Sequence, residues 1–171
     1  MMSQFSKDGD KPVLGELYDF PKDVYPVGRL DHDSEGMLLL TNDKSLNQKL
    51  LNPKNKHKRT YLVQVDGDIT EEAINKLCNG VTIRIKKKEH NTLPAKARKI
   101  EEPDFLPERN PPVRYRANIP TSWIEITLIE GKNRQVRRMT ASVGFPTLRL
   151  IRFSMEDKNI KGFSSGEVRK I

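Results

Sequence analysis

The stretch WIEITLIEGKNRQVRRMTASVGFPTLRLIRF, residues 123–153, decides the reading of the fold. Its opening run, 123–130, puts Ile124, Ile126 and Leu128 on one face, the alternation of a half-buried strand. Gly131 breaks that run, and Asn133 is a good N-cap for a helix from Arg134 to about Val143. Gly144 closes the helix, Pro146 follows, and TLRLIRF (147–153) reads as a returning strand.

Outward from this unit the same signals recur. RTYLVQV (59–65) alternates Tyr61, Val63 and Val65 on one face, a strand pattern. Thr70 opens a helix with Ile74, Leu77 and Cys78 inward, closed by Asn79 and Gly80. VTIRI (81–85) and KARKI (96–100) are predicted strands around a basic turn, and EEPDFLPE (101–108) is an acidic, Pro-containing loop. Nearer the start, VYPVGRL (24–30) reads as a strand leading into the polar turn DHDSEG (31–36), with MLLLTN (37–42) as a second strand. Asn42 or Asp43 can cap a helix through about Leu51, with Leu46 and Leu50 on one face, and the first ten residues look loosely held. Strands outnumber helices and are irregularly interspersed, which predicts an α+β fold on a largely antiparallel sheet.

Length and composition bound the function. The 171 residues suit one domain with a core. At 35% hydrophobic and 32% charged the chain is polar, but Val, Ile and Leu recur in patterned runs, which argues against disorder. No apolar run approaches the roughly 20 residues of a membrane span, and the first residues lack a signal-peptide core. The single cysteine, Cys78, excludes an internal disulfide framework and fits a reducing cytosol. A formal charge of +8 points to a polyanionic partner, most often nucleic acid or a membrane surface. Its distribution says more: residues 131–152 hold six basic side chains and no acid, and residues 84–99 hold seven against Glu89 alone.

Three constellations could carry chemistry. In the predicted helix, Val136, Met139 and Val143 line one side, while Arg134, Arg137 and Arg138 cluster opposite. A solvated face is the ordinary explanation. However, arginines near a helix N-terminus oppose the macrodipole by a few tenths of a kcal/mol each, and no glutamate sits at i+3 or i+4 to offset them. They call for an anion from elsewhere, a phosphate or a carboxylate across the fold. In GRLDHDSEG (28–36), three acids crowd into a basic chain. An EF-hand reading fails because Leu39 and Asn42 fall where its later ligands belong. Two readings remain open: a polar turn in which Gly36 supplies a positive φ, or a carboxylate held by an arginine for chemistry. Tyr61 gains interest only if it faces Asp31, because an aromatic ring can stack on an extruded base. Trp123 and Phe145 read as core, and His32, His57 and His90 as scattered surface residues without ligand spacing.

Together, GRLDHDSEGMLLLTND (28–43), RTYLVQVDG (59–67) and GKNRQVRRMTASVGFPTLRLIR (131–152) resemble the signature blocks of the RsuA-type family of ribosomal RNA pseudouridine synthases. Within residues 92–139, ERNPPVR and IPTSW narrow the resemblance to a branch acting on 23S rRNA. The resemblance covers nearly the whole chain. It implies isomerisation of a uridine within RNA, without cofactor or metal, on a curved, mainly antiparallel sheet in two lobes with a central cleft. The family's catalytic aspartate matches Asp31, its base-stacking tyrosine Tyr61, and the arginine that pairs with the aspartate Arg137. Leu150 and Arg152 match the last block, where the leucine packs near the base and the arginine supports the site. Arg29, Lys132, Arg134 and Arg138 are the candidates for RNA phosphate.

The chain is expected to be one catalytic domain over residues 1–171, without an S4-type RNA-binding domain and short of the family's first strand. The expected partner is 23S rRNA or a large-subunit assembly intermediate, met by a cytoplasmic monomer without a membrane. The main rival is a non-catalytic RNA-binding or ribosome-assembly protein with a vestigial site, and a metal-dependent hydrolase is a distant third.

Overall fold

The structure, a computed structural model, describes residues 1–113 and 118–171. In chain order the elements are β1 (Tyr25–Pro26), β2 (Glu35–Gly36), β3 (Leu40–Thr41), α1 (Lys44–Leu51), β4 (Arg59–Asp66), α2 (Glu71–Asn79) and β5 (Thr82–Ile85). Then come β6 (Lys88–Asn91), β7 (Lys96–Ile100), β8 (Thr121–Leu128), α3 (Gln135–Ser142), β9 (Thr147–Met155) and β10 (Lys158–Asn159). The main sheet runs β10–β9–β4–β8–β7, all antiparallel, and β2 joins β9 in parallel. The α+β, largely antiparallel architecture is the one the alternating patterns predict.

The period-2 alternation sorts side chains to the two faces of this sheet. Val63 and Val65 of β4, Ile124, Ile126 and Leu128 of β8, and Leu150 of β9 meet Ile74 and Leu77 of α2 and Val136 and Met139 of α3 in the principal core. On the opposite face Leu62, Trp123 and Ile151 form a second cluster with Ile100, Leu106 and Phe153. Leu77, Ile124, Ile126 and Met139 are fully buried, each contributing about 1.5–3 kcal/mol of hydrophobic stabilisation. The alternation of β4 also sets the site. Tyr61 lies opposite Ile126 of β8 on one side and Arg152 of β9 on the other.

The helix caps follow the sequence at two of three places. Asp43 caps α1 by accepting from the amides of Ser45 and Leu46, and Thr70 caps α2 by accepting from the Ala73 amide. Leu50 is buried under α1, but Leu46 is exposed, because Val27 and Met155 meet only the Leu50 side of that short helix. The strands expected over 24–30 and 37–42 shrink to the two-residue pair β1–β3, and a separate hairpin, β5–β6, occupies the basic turn. His57 and His90 are half-buried, not loose surface residues, because each sits against a carboxylate, Glu156 at 2.7 Å and Glu130 at 3.1 Å. Among the described residues no helix is long and apolar enough to cross a membrane.

Candidate active site

The polar turn between β1 and β2 is pinned at both ends. At its entry the buried Ser3 hydroxyl accepts a hydrogen bond from the Leu30 amide and donates to the Leu30 carbonyl, both at 3.0 Å. The first residues are therefore held at Ser3, against the expectation of a loose terminus, because one hydroxyl satisfies both polar groups of Leu30. Within the turn the Ser34 amide donates to the Asp31 carbonyl at 2.9 Å. At its exit Gly36 has φ of +104°, and a Cβ there would lie 2.3 Å from the Arg152 carbonyl oxygen. The Met37 amide donates to that oxygen, and Arg152 Nε donates to the Met37 carbonyl, each at 2.8 Å. The positive φ expected at Gly36 is present, and close approach to β9 is its reason.

Each acid of the turn meets an arginine from another element. Arg134 Nη1 and Nη2 donate to the two carboxylate oxygens of Asp33 at 3.0 and 2.9 Å, and Nη1 lies 3.5 Å from Asp31 Oδ2. Arg137 Nη2 donates to the Asp33 carbonyl at 2.8 Å and stands 3.4 Å from its carboxylate. Arg149 of β9 forks onto Glu35 at 3.0 and 2.8 Å, and Arg109 Nε approaches Glu35 at 3.3 Å. Two of the three dipole-opposed arginines, Arg134 and Arg137, thus find carboxylates across the fold, as their lack of local partners predicts, whereas Arg138 meets neutral oxygens instead.

The partners differ from the expected ones. The resemblance pairs Arg137 with Asp31, but Arg137 holds Asp33, and the ion pair to Asp31 comes from Arg134. The cause lies in the cap of α3: Arg134, not Asn133, is the N-cap, in the left-handed region with φ of 50° and no side-chain cap. That conformation turns Arg134 toward the acidic turn and leaves Asn133 to accept from Arg138, through its carbonyl at 3.1 Å and Oδ1 at 3.3 Å. Arg138 also donates to the Arg84 carbonyl at 2.6 Å.

These contacts shift the ionisation of the groups involved. The Arg134 hydrogen bonds hold the Asp33 carboxyl at about 2, below its ordinary 3.8, against a partial desolvation that works the other way. The same hydrogen bonds raise Arg134. Burial lowers Arg137, opposed by the Asp33 charge, and burial lowers Arg152, opposed by the neighbouring Tyr61.

A cleft of about 590 Å³ opens over this turn. Asp31, Tyr61, Leu150 and Arg152 line it together with Arg29, Lys132 and Arg134. Leu150 and Arg152 are buried in its wall, and Arg152 Nη2 has no hydrogen-bond partner among the described residues. Arg29 and Lys132 are exposed. Arg137 and Arg138 do not line the cleft and stand behind it, Arg137 against Asp33 and Arg138 against Arg84. A carboxylate, an aromatic ring and an apolar wall therefore share one cavity, with the buried Arg152 guanidinium behind them, an arrangement suited to holding a planar base beside an acid. Sequence reasoning does not single out Ser3 or Arg149, and it reads Asp33 and Glu35 as part of the acidic turn without assigning them partners. The signal was present in the D-x-D-x-E spacing, since three like charges so close require several cations around them.

Residues 10–142 match the family described as RNA pseudouridylate synthase. Similar proteins include the ribosomal large subunit pseudouridine synthase E of Vibrio parahaemolyticus, 52% identical over 170 residues covering 99% of this chain and 69% of that protein. A synthase of the same name from Xanthomonas campestris is 45% identical over 171 residues, covering 99% of this chain and 89% of its own. Among solved structures, a pseudouridylate synthase crystal structure superposes with a TM-score of 0.72 at 26% identity, covering 93% of this chain and 61% of that one. These names agree with the branch to which ERNPPVR and IPTSW pointed, although Arg114, the last residue of the first stretch, lies outside the described residues.

Proposed function

The chain belongs to the RNA pseudouridylate synthase family, and from that premise we propose that it isomerises one uridine of 23S ribosomal RNA in the cleft beside Asp31. The reaction breaks the N1–C1′ bond, turns the uracil and joins C5 to C1′. The proton lost from C5 is balanced by the one gained at N1, so no further reactant is consumed.

Asp31 is the catalytic carboxylate, acting at the ribose by attack on C1′ or by removal of a sugar proton. The observation that carries this reading is that Asp31 and Tyr61, on elements distant in sequence, line one cleft with Arg134 only 3.5 Å from the carboxylate. Tyr61 stacks on the flipped base and is the candidate to help take the C5 proton. Leu150 packs against the base, and the buried Arg152 supports the site from behind, next to Tyr61. Arg137 acts at one remove, holding the Asp33 carbonyl so that the turn keeps its shape. Extruding a stacked uridine costs a few kcal/mol, offset by phosphate contacts to the exposed Arg29 and Lys132. The substrate is free rRNA or a large-subunit assembly intermediate, and the enzyme works as a cytoplasmic monomer.

Tritium release from 23S rRNA carrying 5-³H-uridine tests the reading. Wild type is expected to release tritium, and Asp31→Asn and Asp31→Ala to bind the RNA but release none. If wild type also releases none while all three bind alike, the catalytic reading fails and a non-catalytic RNA-binding protein takes its place.

A further inference from the structure

The hairpin of β5 and β6 turns through Lys86 and Lys87, both in the left-handed region with φ of 46° and 67°. A two-residue hairpin turn with two positive φ values favours Asn-Gly or Asp-Gly. Ordinary L-residues there cost roughly 1–2 kcal/mol each. Strain of this kind persists where the surroundings impose it, and it clusters at functional positions. What the two lysines add in return is charge. Arg84, Lys86, Lys87 and Lys88 are all exposed, and among the described residues none has an ion-pair partner.

The base of the hairpin is firmly fixed. Ile83 is buried in the principal core. The Val81 amide donates to the Thr92 hydroxyl at 2.9 Å, and the buried Glu130 carboxylate accepts from the Leu93 amide at 2.8 Å while meeting His90 at 3.1 Å. Arg138 fastens the Arg84 carbonyl to α3 at 2.6 Å, and the N-cap of that helix, Arg134, lines the cleft. The tip is therefore a preorganised cluster of cations held at a set position relative to the cleft.

We propose that this tip, Lys86 and Lys87 with Arg84 and Lys88 beside them, is a second RNA-binding site outside the cleft, which grips the phosphate backbone flanking the target uridine. The proposal rests on the RNA-modifying reading above. The tip contacts phosphate only, so its contribution is to affinity and salt dependence, and the chemistry in the cleft proceeds without it.

The test exploits the turn chemistry. The double variant Lys86→Asn/Lys87→Gly removes two charges and installs the pair the turn favours, so its Tm is expected to equal or exceed that of wild type. Binding to a 23S rRNA fragment is measured from 50 to 200 mM salt alongside tritium release. The dependence of log K on log salt should flatten by about 1.4–1.8, from about 0.7–0.9 per lost phosphate contact, with single-turnover release at saturating enzyme unchanged. Lys88→Gln leaves the turn untouched and should flatten the slope by about half as much. Unchanged slopes in both variants would overturn the proposal, and if wild type releases tritium in that case the catalytic reading stands alone. Hairpin-dependent binding without tritium release from wild type would uphold the tip contact and sink the catalytic reading.

Discussion

Arg134 grips Asp33 with both terminal guanidinium nitrogens, at 3.0 and 2.9 Å, and does so from a left-handed N-cap position. The same Nη1 stands 3.5 Å from Asp31 Oδ2, so one side chain spans two acids of the turn. A lysine cannot reproduce a planar fork. Arg134→Lys is therefore expected to lower the single-turnover rate about tenfold or more through a displaced Asp31. Because the pair is partly exposed, stability should change by only about 1 kcal/mol or less. An effect confined to affinity and salt slope would make Arg134 a phosphate contact instead.

Asp33 gives the fold an acid-sensitive element. Its folded value, about 2, lies below the ordinary 3.8, so between these values the unfolded chain binds more protons than the folded one. Stability then rises with pH in that window. The contribution is full above about pH 4 and is lost as pH falls toward 2. Denaturant melts across pH 2–5 should show wild type losing more stability on acidification than Asp33→Asn. Parallel curves would mean that the Arg134 hydrogen bonds do not hold the carboxylate ionised.

Gly36 is the position least tolerant of a side chain. Its φ is +104°, and a Cβ would meet the Arg152 carbonyl oxygen at 2.3 Å, a backbone atom that cannot step aside. Gly36→Ala is expected to destabilise by on the order of 2–3 kcal/mol, several degrees in Tm for a chain of this size. It should also reduce turnover, since the turn bearing Asp31 would separate from β9. A Tm within a degree of wild type would contradict that docking.

Ser3 acts on the other end of the turn. Removing its hydroxyl leaves the Leu30 amide and carbonyl without their 3.0 Å partner, at about 1–3 kcal/mol for groups that stay buried. Ser3→Ala should lower both stability and kcat while leaving the salt slope of RNA binding as it was. Unchanged kcat with lowered Tm would confine Ser3 to folding.

Much of this was legible in the sequence where a local rule governs. Period-2 alternation located β4 and β8, Thr70 announced α2, the pair Asn42 and Asp43 bracketed the cap of α1, and the dipole-opposed arginines around α3 implied distant acids. The pairing was not legible. Asp31 and Asp33 lie two residues apart on a turn, and spacing cannot rank them as partners for Arg134 or Arg137. The outcome depends on the left-handed N-cap at Arg134, a conformation L-residues seldom adopt and no local pattern predicts. The hold of Ser3 on Leu30 was hidden for the same reason, because it joins residues 27 positions apart that carry no periodic signal. β5 is legible from its sequence, but its partner β6 is not, because the turn between them carries lysines where turn chemistry expects Asn-Gly.

The central claim is that Asp31 makes pseudouridine in 23S rRNA, and a pseudouridine map of that rRNA tests it most directly. Cells lacking this protein should lose one pseudouridine; wild type should restore it, and Asp31→Ala should not. A map unchanged by the deletion, or full restoration by Asp31→Ala, would contradict the claim.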